Sequence, residues 1–233
     1  MLLKEAFRIF DWDCQKNFFT LERDNFWHRE TKIPWEERDS LAVVMFKNKL
    51  FLYGGLDGND FVVKPPLVKY WLAPHFSDIW QSEDGIHWKK VTSSVPWGKR
   101  RSMAIIPFKG KLFLYGGWGP EIGYKNDIWQ SEDGIHWKKI KEHALWPERE
   151  GHIVLNFQDK LYLIGGVNYE KRKLFSDVWF SEDGINWKKL TDSVPWTPRW
   201  DHDVCVFKGK MFLVGGMNFE KNFSDIWVSE DGK

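Results

Sequence analysis

DIWQSEDGIHWKK occupies residues 78–90 and occurs again, unchanged, at residues 127–139. A close variant, DVWFSEDGINWKK, fills 177–189, and DIWVSEDGK fills 225–233. Working outward from these stretches gives a longer shared unit. Trp-x-x-Arg stands at Trp35/Arg38, Trp97/Arg100, Trp146/Arg149 and Trp196/Arg199. Phe46, Phe108, Phe157 and Phe207 follow, and Gly-Gly pairs begin at Gly54, Gly116, Gly165 and Gly215. The aspartates Asp78, Asp127, Asp177 and Asp225 are 49, 50 and 48 residues apart. A period near 50 marks a repeat architecture, in which each unit is one supersecondary element that needs its neighbours.

Within the unit every signal is β. LAVVMF (41–46), HIVLNF (152–157) and HDVCVF (202–207) are short runs rich in β-branched residues. Each is followed by a two-residue polar step, such as Lys47-Asn48 or Gln158-Asp159, and then by a second apolar run. Asn, Asp and Gly tolerate the positive φ of a tight hairpin, so the two runs pair as strands a and b. The Asp-Gly of SEDG predicts a second tight hairpin joining DIWQS, strand c, to IHWKKV, strand d. Each unit is therefore a four-stranded antiparallel meander. Lys89-Lys90, Lys138-Lys139 and Lys188-Lys189 place charge on strand d, which protects an exposed edge and puts that strand outermost.

Sheets of about 50 residues repeated radially are blades of a β-propeller. The expected blades are residues 31–92, 93–141, 142–191 and 192–233. Residues 17–27, NFFTLERDNFW, align on DIWQSEDGIHW, so residues 1–30 are expected to supply partial c- and d-like strands of a further blade. Those strands would complete the last blade; a small ring, an open arc and a piece of a larger propeller all fit. Sixteen tryptophans then have a packing role, because Trp80, Trp88 and their copies are large flat groups suited to fill the space between sheets.

The Gly-Gly pair closing strand b, with an aromatic on strand c and a tryptophan on strand d, resembles the kelch motif over residues 31–233. The SEDG turn is also similar to the Asp-box turn of sialidases. The kelch resemblance implies an all-β propeller that serves as a binding scaffold, and its relatives include galactose oxidase and sialic-acid mutarotases.

Charge and composition narrow the partners. Thirty-four basic against 33 acidic side chains give a net charge of +1, which favours neither nucleic acid nor an anionic membrane. Lys4, Glu5 and Arg8 interrupt the apolar N-terminus, so a soluble, cytoplasmic protein is expected. Cys14 and Cys205 lack zinc-site spacing and fit buried thiols or one bridge. No phosphate-cradling loop, G-x-S-x-G elbow or HExxH pair is present, and no cofactor or metal is expected.

Function is expected where the repeat stops repeating. In an up-and-down blade the a–b and c–d turns share one face, and the b–c loops and d–a links share the other. The b–c connections run 22 residues in the first repeat (56–77) and 9, 10 and 8 in the others. The first contains Trp71 and His75, and is expected either to cap an end or to bind. Immediately after each Trp-x-x-Arg the residues differ: Asp39-Ser40, Arg101-Ser102, Glu150-Gly151-His152 and Trp200-Asp201-His202. Packing explains what blades share, not what differs at one geometric position. The candidate ligand-binding set is Asp39, Arg101, Glu150, His152, Trp200, Asp201 and His202, rimmed by Trp118, Tyr124 and Trp71, with Glu121, Tyr169 and Glu170 nearby. The recurring arginines are expected to form ion pairs with Asp78 and its copies across neighbouring blades. The leading expectation is a scaffold presenting this loop face to a protein segment or a glycan. The alternatives are a mutarotase-type enzyme, using Glu150 with His202 or Arg101 as an acid/base pair, and a purely structural repeat segment.

Overall fold

The computed structural model describes residues 33–57 and 73–233. Every regular element in them is a β-strand. Ala42–Phe46 (β1), Lys49–Tyr53 (β2), Ile79–Ser82 (β3) and Trp88–Thr92 (β4) form the first antiparallel meander. Ala104–Phe108 (β5), Lys111–Gly119 (β6), Gly123–Ser131 (β7) and Trp137–Lys141 (β8) form the second. Ile153–Phe157 (β9), Lys160–Ile164 (β10), Val178–Ser181 (β13) and Trp187–Thr191 (β14) form the third, with a small hairpin of Val167–Asn168 (β11) and Lys173–Leu174 (β12) in its b–c connection. Asp203–Phe207 (β15), Lys210–Val214 (β16) and Ile226–Ser229 (β17) make a fourth sheet of three strands among the described residues. The sheets are propeller blades, and their a strands β1, β5, β9 and β15 neighbour one another in turn. Residues 17–27, Cys14 and most of the first long excursion, Trp71 included, lie outside the described residues. No helix among the described residues is long and apolar enough to cross a membrane.

The a–b turns form as expected. Both turn residues take positive φ, for example 48° and 61° at Lys47 and Asn48 and 49° and 56° at Gln158 and Asp159. The c–d turn differs: Ser82 pairs with Trp88, so EDGIH is a five-residue loop and strand d starts at the tryptophan. Side chains decide this. Ser82 Oγ accepts the Gly85 N–H (2.8 Å), while Asp84 Oδ1 accepts the N–H groups of Ile86 and His87 (2.9 and 2.7 Å). The same turn recurs with Ser131/Asp133 and Ser181/Asp183. An Asx-type turn that satisfies three backbone donors outcompetes the two-residue alternative.

Each blade is built around a buried arginine. Arg149 donates from Nη1 and Nη2 to the two carboxylate oxygens of Asp177 (2.7 and 2.9 Å), and from Nη1 to the Gly165 carbonyl (2.9 Å). Trp179 Nε1 donates to the same carboxylate (2.7 Å). Arg38–Asp78–Trp80, Arg100–Asp127–Trp129 and Arg199–Asp225–Trp227 repeat the arrangement. The expected Arg–Asp pairing is therefore present, but it joins strand a's entrance to strand c within one blade rather than crossing to a neighbour. The arginine does reach across to its neighbour, through its backbone carbonyl. The Arg100, Arg149 and Arg199 carbonyls accept the N–H of Gly55, Gly117 and Gly166 in the preceding blade (3.1, 3.0 and 2.9 Å). Glycine is required there: Gly55 has φ of 93°, and a Cβ on it would stand 2.7 Å from the Asp39 carbonyl oxygen.

Tryptophans fill the seams between sheets. Trp97 and Trp137 pack edge-on against each other (4.8 Å) and onto Tyr53 of the first blade. Tyr53 Oη then donates to the Gly134 carbonyl in the second blade's c–d turn (2.9 Å), and Tyr115 does the same to Gly184. In the fourth blade no strand d follows β17 among the described residues. An open groove lined by Ile164, Val178, Trp196 and Trp227 lies where Trp137 and Trp187 sit in their blades.

The carboxylates set the response to acid. Burial would raise Asp78 and Asp177, but hydrogen bonds from arginine and tryptophan outweigh it and hold both below the usual range. Arg199 and Trp227 hold Asp225 lower still. Depressed folded-state values mean stability that is full above the unfolded carboxylate value, about 3.9, and is lost as pH falls below it. Urea midpoints are expected to stay level from neutral pH to mildly acidic pH and then drop steeply. Asp177→Asn strands a buried guanidinium and is expected to cost about 3–5 kcal/mol at neutral pH. An unchanged urea midpoint in that variant would contradict the role of the pair.

Candidate functional site

The second face of the propeller is organised by two sets of backbone bonds. The residue after each blade's arginine forms a β-bridge with its own b–c connection: Asp39 with Leu56, Arg101 with Trp118, Glu150 with Val167 and Trp200 with Met217. The next residue is left-handed in every blade, with φ of 54° at Ser40, 49° at Ser102, 63° at Gly151 and 50° at Asp201. Its N–H donates to its counterpart's carbonyl in the preceding blade: Ser102 to Ser40, Gly151 to Ser102 and Asp201 to Gly151 (3.0, 3.3 and 3.1 Å). This ladder runs from the first blade to the fourth and explains the small or polar residues there. It also aims the side chains of Asp39, Arg101, Glu150 and Trp200 from equivalent backbone positions.

Two of these side chains answer each other. Arg101 donates from Nε and Nη2 to Glu150 Oε2 and Oε1 (3.0 and 3.3 Å), bridging the second and third blades. Tyr124 Oη donates to Glu150 Oε1 (3.2 Å), and the Arg101 guanidinium lies 4.9 Å from the Trp118 ring centroid. His75, from the end of the first b–c connection, packs edge-on to Trp118 at 5.4 Å. Burial pushes the Glu150 carboxyl up, and the charge and hydrogen bonds of Arg101 pull against it. Burial, then the neighbouring Glu150 charge, pushes the Tyr124 hydroxyl up, so it stays protonated and donating.

A second cluster lies beside the first. Trp200 meets Tyr169 at 5.4 Å and Phe219 at 5.2 Å, and those two rings are 5.8 Å apart. Trp200 is buried beneath, whereas Tyr169 and Phe219 are 41% and 46% exposed. The two outer rings come from the NYE and NFE stretches of the third and fourth b–c connections. Asn168 Oδ1 accepts the Lys171 N–H and Asn218 Oδ1 accepts the N–H groups of Glu220 and Lys221, holding each aromatic at a turn. The clusters join where Tyr124 Oη accepts the Tyr169 N–H (3.1 Å).

The remaining candidates fall elsewhere. Asp39 and Asp201 are exposed at the ladder, the Asp39 carboxylate accepting the Ser40 N–H (2.6 Å). Glu121 and Glu170 are exposed on their connections, Glu121 beside Lys99. His152 and His202 are fully enclosed behind the glycine pairs, with His152 against Gly116 and His202 against Gly165 and Gly216. Burial first, then the charges of Arg149 and His202, pushes His152 down to about 3, so it is neutral in any ordinary buffer. The two histidines are wall material, not mouth groups. Their enclosure also separates His202 from solvent, and Glu150 is committed to Arg101, so the acid/base pair expected for a mutarotase is not presented to a sugar. Phe219 and the Arg101–Glu150 pairing were not anticipated. The repeated Asn-aromatic-Glu of residues 168–170 and 218–220 is the sequence signal for Phe219.

Compared with known proteins, residues 40–230 match the model of the KLHDC2/KLHL20/DRC7 Kelch-repeats domain. No curated protein matches the chain.

The buried ion pair makes Arg101 a stability residue. Arg101→Ala leaves Glu150 enclosed without its cation and is expected to cost about 3–5 kcal/mol in urea unfolding. Arg101→Met with Glu150→Leu is expected to recover most of that loss. Near-wild-type stability in Arg101→Ala would show that the pair carries no structural weight.

Proposed function

We propose, from the premise that the chain belongs to the kelch-repeat family, that it is a protein-binding scaffold whose loop face holds an extended segment of a partner protein. The observation that carries this reading is the aromatic shelf. Tyr169 and Phe219 stand exposed over a buried Trp200, on connections whose turns are fixed by asparagine side chains. Exposed aromatic groups on a rigid base are the usual anchors of a binding surface, because they contribute apolar area at small cost in conformational entropy. The shelf takes an apolar or aromatic side chain of the partner. The exposed side chains of Glu170 and Glu220, each next to a shelf ring in the chain, favour a basic residue beside it.

The division of labour within the repeat supports the same reading. Arg, Asp, Trp and Gly-Gly recur because every blade needs them. The groups at the ladder and on the b–c connections vary and stand on a support held by the repeated Arg–Asp pairs and the backbone ladder. Binding residues on loops held by a rigid framework are a general arrangement.

Selection of linear peptides from a displayed library against the 233-residue chain tests this. Peptides with an aromatic or large aliphatic residue flanked by Lys or Arg are expected. Tyr169→Ala and Phe219→Ala should each weaken them by roughly tenfold or more while leaving the thermal midpoint near wild type, since both rings are half exposed. Recovery of no peptide, or equal binding by both variants, would overturn the reading. Capture on a glycan array dependent on the same two rings would replace the protein segment with a sugar.

A further inference from the structure

The fourth blade exposes a face that every other blade buries. Phe46, Phe108 and Phe157, at the end of strand a, are 6%, 4% and 3% exposed, each covered by the next blade; Phe207 is 50% exposed. Ile79, Ile128 and Val178, at the start of strand c, are 0%, 0% and 2% exposed; Ile226 is 65% exposed. Val214 and Val228 are exposed on the same side. Lys208 lies over the Phe207 ring as Lys47 and Lys109 lie over Phe46 and Phe108. In two seams that lysine donates to the carbonyl of the following blade's SEDG glutamate, Lys47 to Glu132 and Lys109 to Glu182 (both 2.7 Å). The fourth blade thus carries a complete half of a seam.

The first blade carries the other half. Trp35 packs edge-on to Trp80 and Trp88 at 5.7 and 4.9 Å, as Trp97 packs to Trp129 and Trp137 at 6.3 and 4.8 Å in the first seam. Trp35, Trp88 and Leu50 are half-buried, whereas Trp97, Trp146, Trp187, Leu112 and Leu161 are buried. Among the described residues of one chain the two halves do not meet. The ladder starts at Ser40, whose N–H is taken by its own Asp39 carboxylate, and ends at Asp201 in the fourth blade. Among the described residues, neither Ser40 nor Gly216 makes the bond that would join the fourth blade to the first.

We propose that a second copy of this chain docks its first blade onto the exposed face of the fourth, repeating the seams already present between neighbouring blades. Phe207, Phe212, Val214 and Ile226 would receive the Trp35–Trp80–Trp88 group and Leu50, and Lys208 would reach the Glu83 carbonyl. The contact is heterologous, so both copies keep one half of each seam, and the curvature of the arc sets how many copies close the ring. A half-seam of this size left in water is an association surface rather than scattered exposure.

Light scattering after size exclusion, on the 233-residue chain, tests the proposal. The chain is expected to run as a dimer or larger closed assembly at tens of micromolar. Ile226→Asp, at a side chain mostly in solvent, should reduce it to a folded monomer with unchanged near-ultraviolet dichroism, and Leu50→Glu should do so from the opposite end. Mixing the two variants should restore a one-to-one complex, since each keeps the half the other lacks. If either variant fails to give the native dichroism, Val228→Asp replaces it for the fourth blade and Trp88→Lys for the first. A monomeric wild-type chain, variants with wild-type mass, or a mixture that stays monomeric would each overturn the proposal.

Discussion

A guanidinium sealed at the root of each blade is the constraint on which the rest of the structure depends. In the third blade it gathers the carboxylate that opens strand c, the first carbonyl of the Gly-Gly turn that closes strand b, and the Pro147 carbonyl at the entrance to strand a. Moving such charges out of water is costly, and the cost is offset only where the geometry is bidentate and the remaining donors are satisfied. Both conditions hold at Arg149 and Arg199, whose Nε atoms donate to the Pro147 and Thr197 carbonyls. Lysine, a single point charge without the planar fork, would not satisfy the carboxylate and the glycine carbonyl together. The tryptophan two residues past the aspartate adds its indole N–H to the same carboxylate, so one residue type serves both the polar root and the apolar seam.

From that root the blades are linked by a few repeated bonds rather than by apolar area alone. The arginine carbonyl caps the previous blade's glycine pair, and the tyrosines Tyr53 and Tyr115 tie the first two seams to the following blade's c–d turn. Because each blade brings the same two halves of a seam, the stack has no intrinsic end. The exposed Phe207 and Ile226 of the fourth blade are the visible consequence.

Much of this was legible in the residues. The period near 50, the polar steps Lys47-Asn48 and Gln158-Asp159, and the glycine pairs determine the repeating unit and its strand order, because turn chemistry and strand alternation are local. What the residues did not reveal depends on three-dimensional company. The SEDG turn was expected as a two-residue hairpin. The hydroxyl of Ser82 and carboxylate of Asp84 instead hold five residues, a competition visible only once their backbone partners are placed. The divergent residues at the axis were expected to face a ligand as a group. Arg101 and Glu150 instead satisfy one another across a seam, and His152 and His202 fit the hollows behind the glycines. A difference between blades therefore has two sources, a partner outside and a partner next door, and sequence alone does not separate them. In the aromatic shelf of Tyr169, Trp200 and Phe219, two of the three rings remain in solvent.

The account rests on the tryptophan–aspartate–arginine root, and the indole protons report on it directly. Hydrogen exchange followed by NMR at Nε1 of Trp129 and Trp179 measures whether those protons are held by Asp127 and Asp177. The account predicts exchange only through global unfolding, with the same denaturant dependence at both sites. Exchange at the rate of an open indole, in a chain that is otherwise folded, would contradict it.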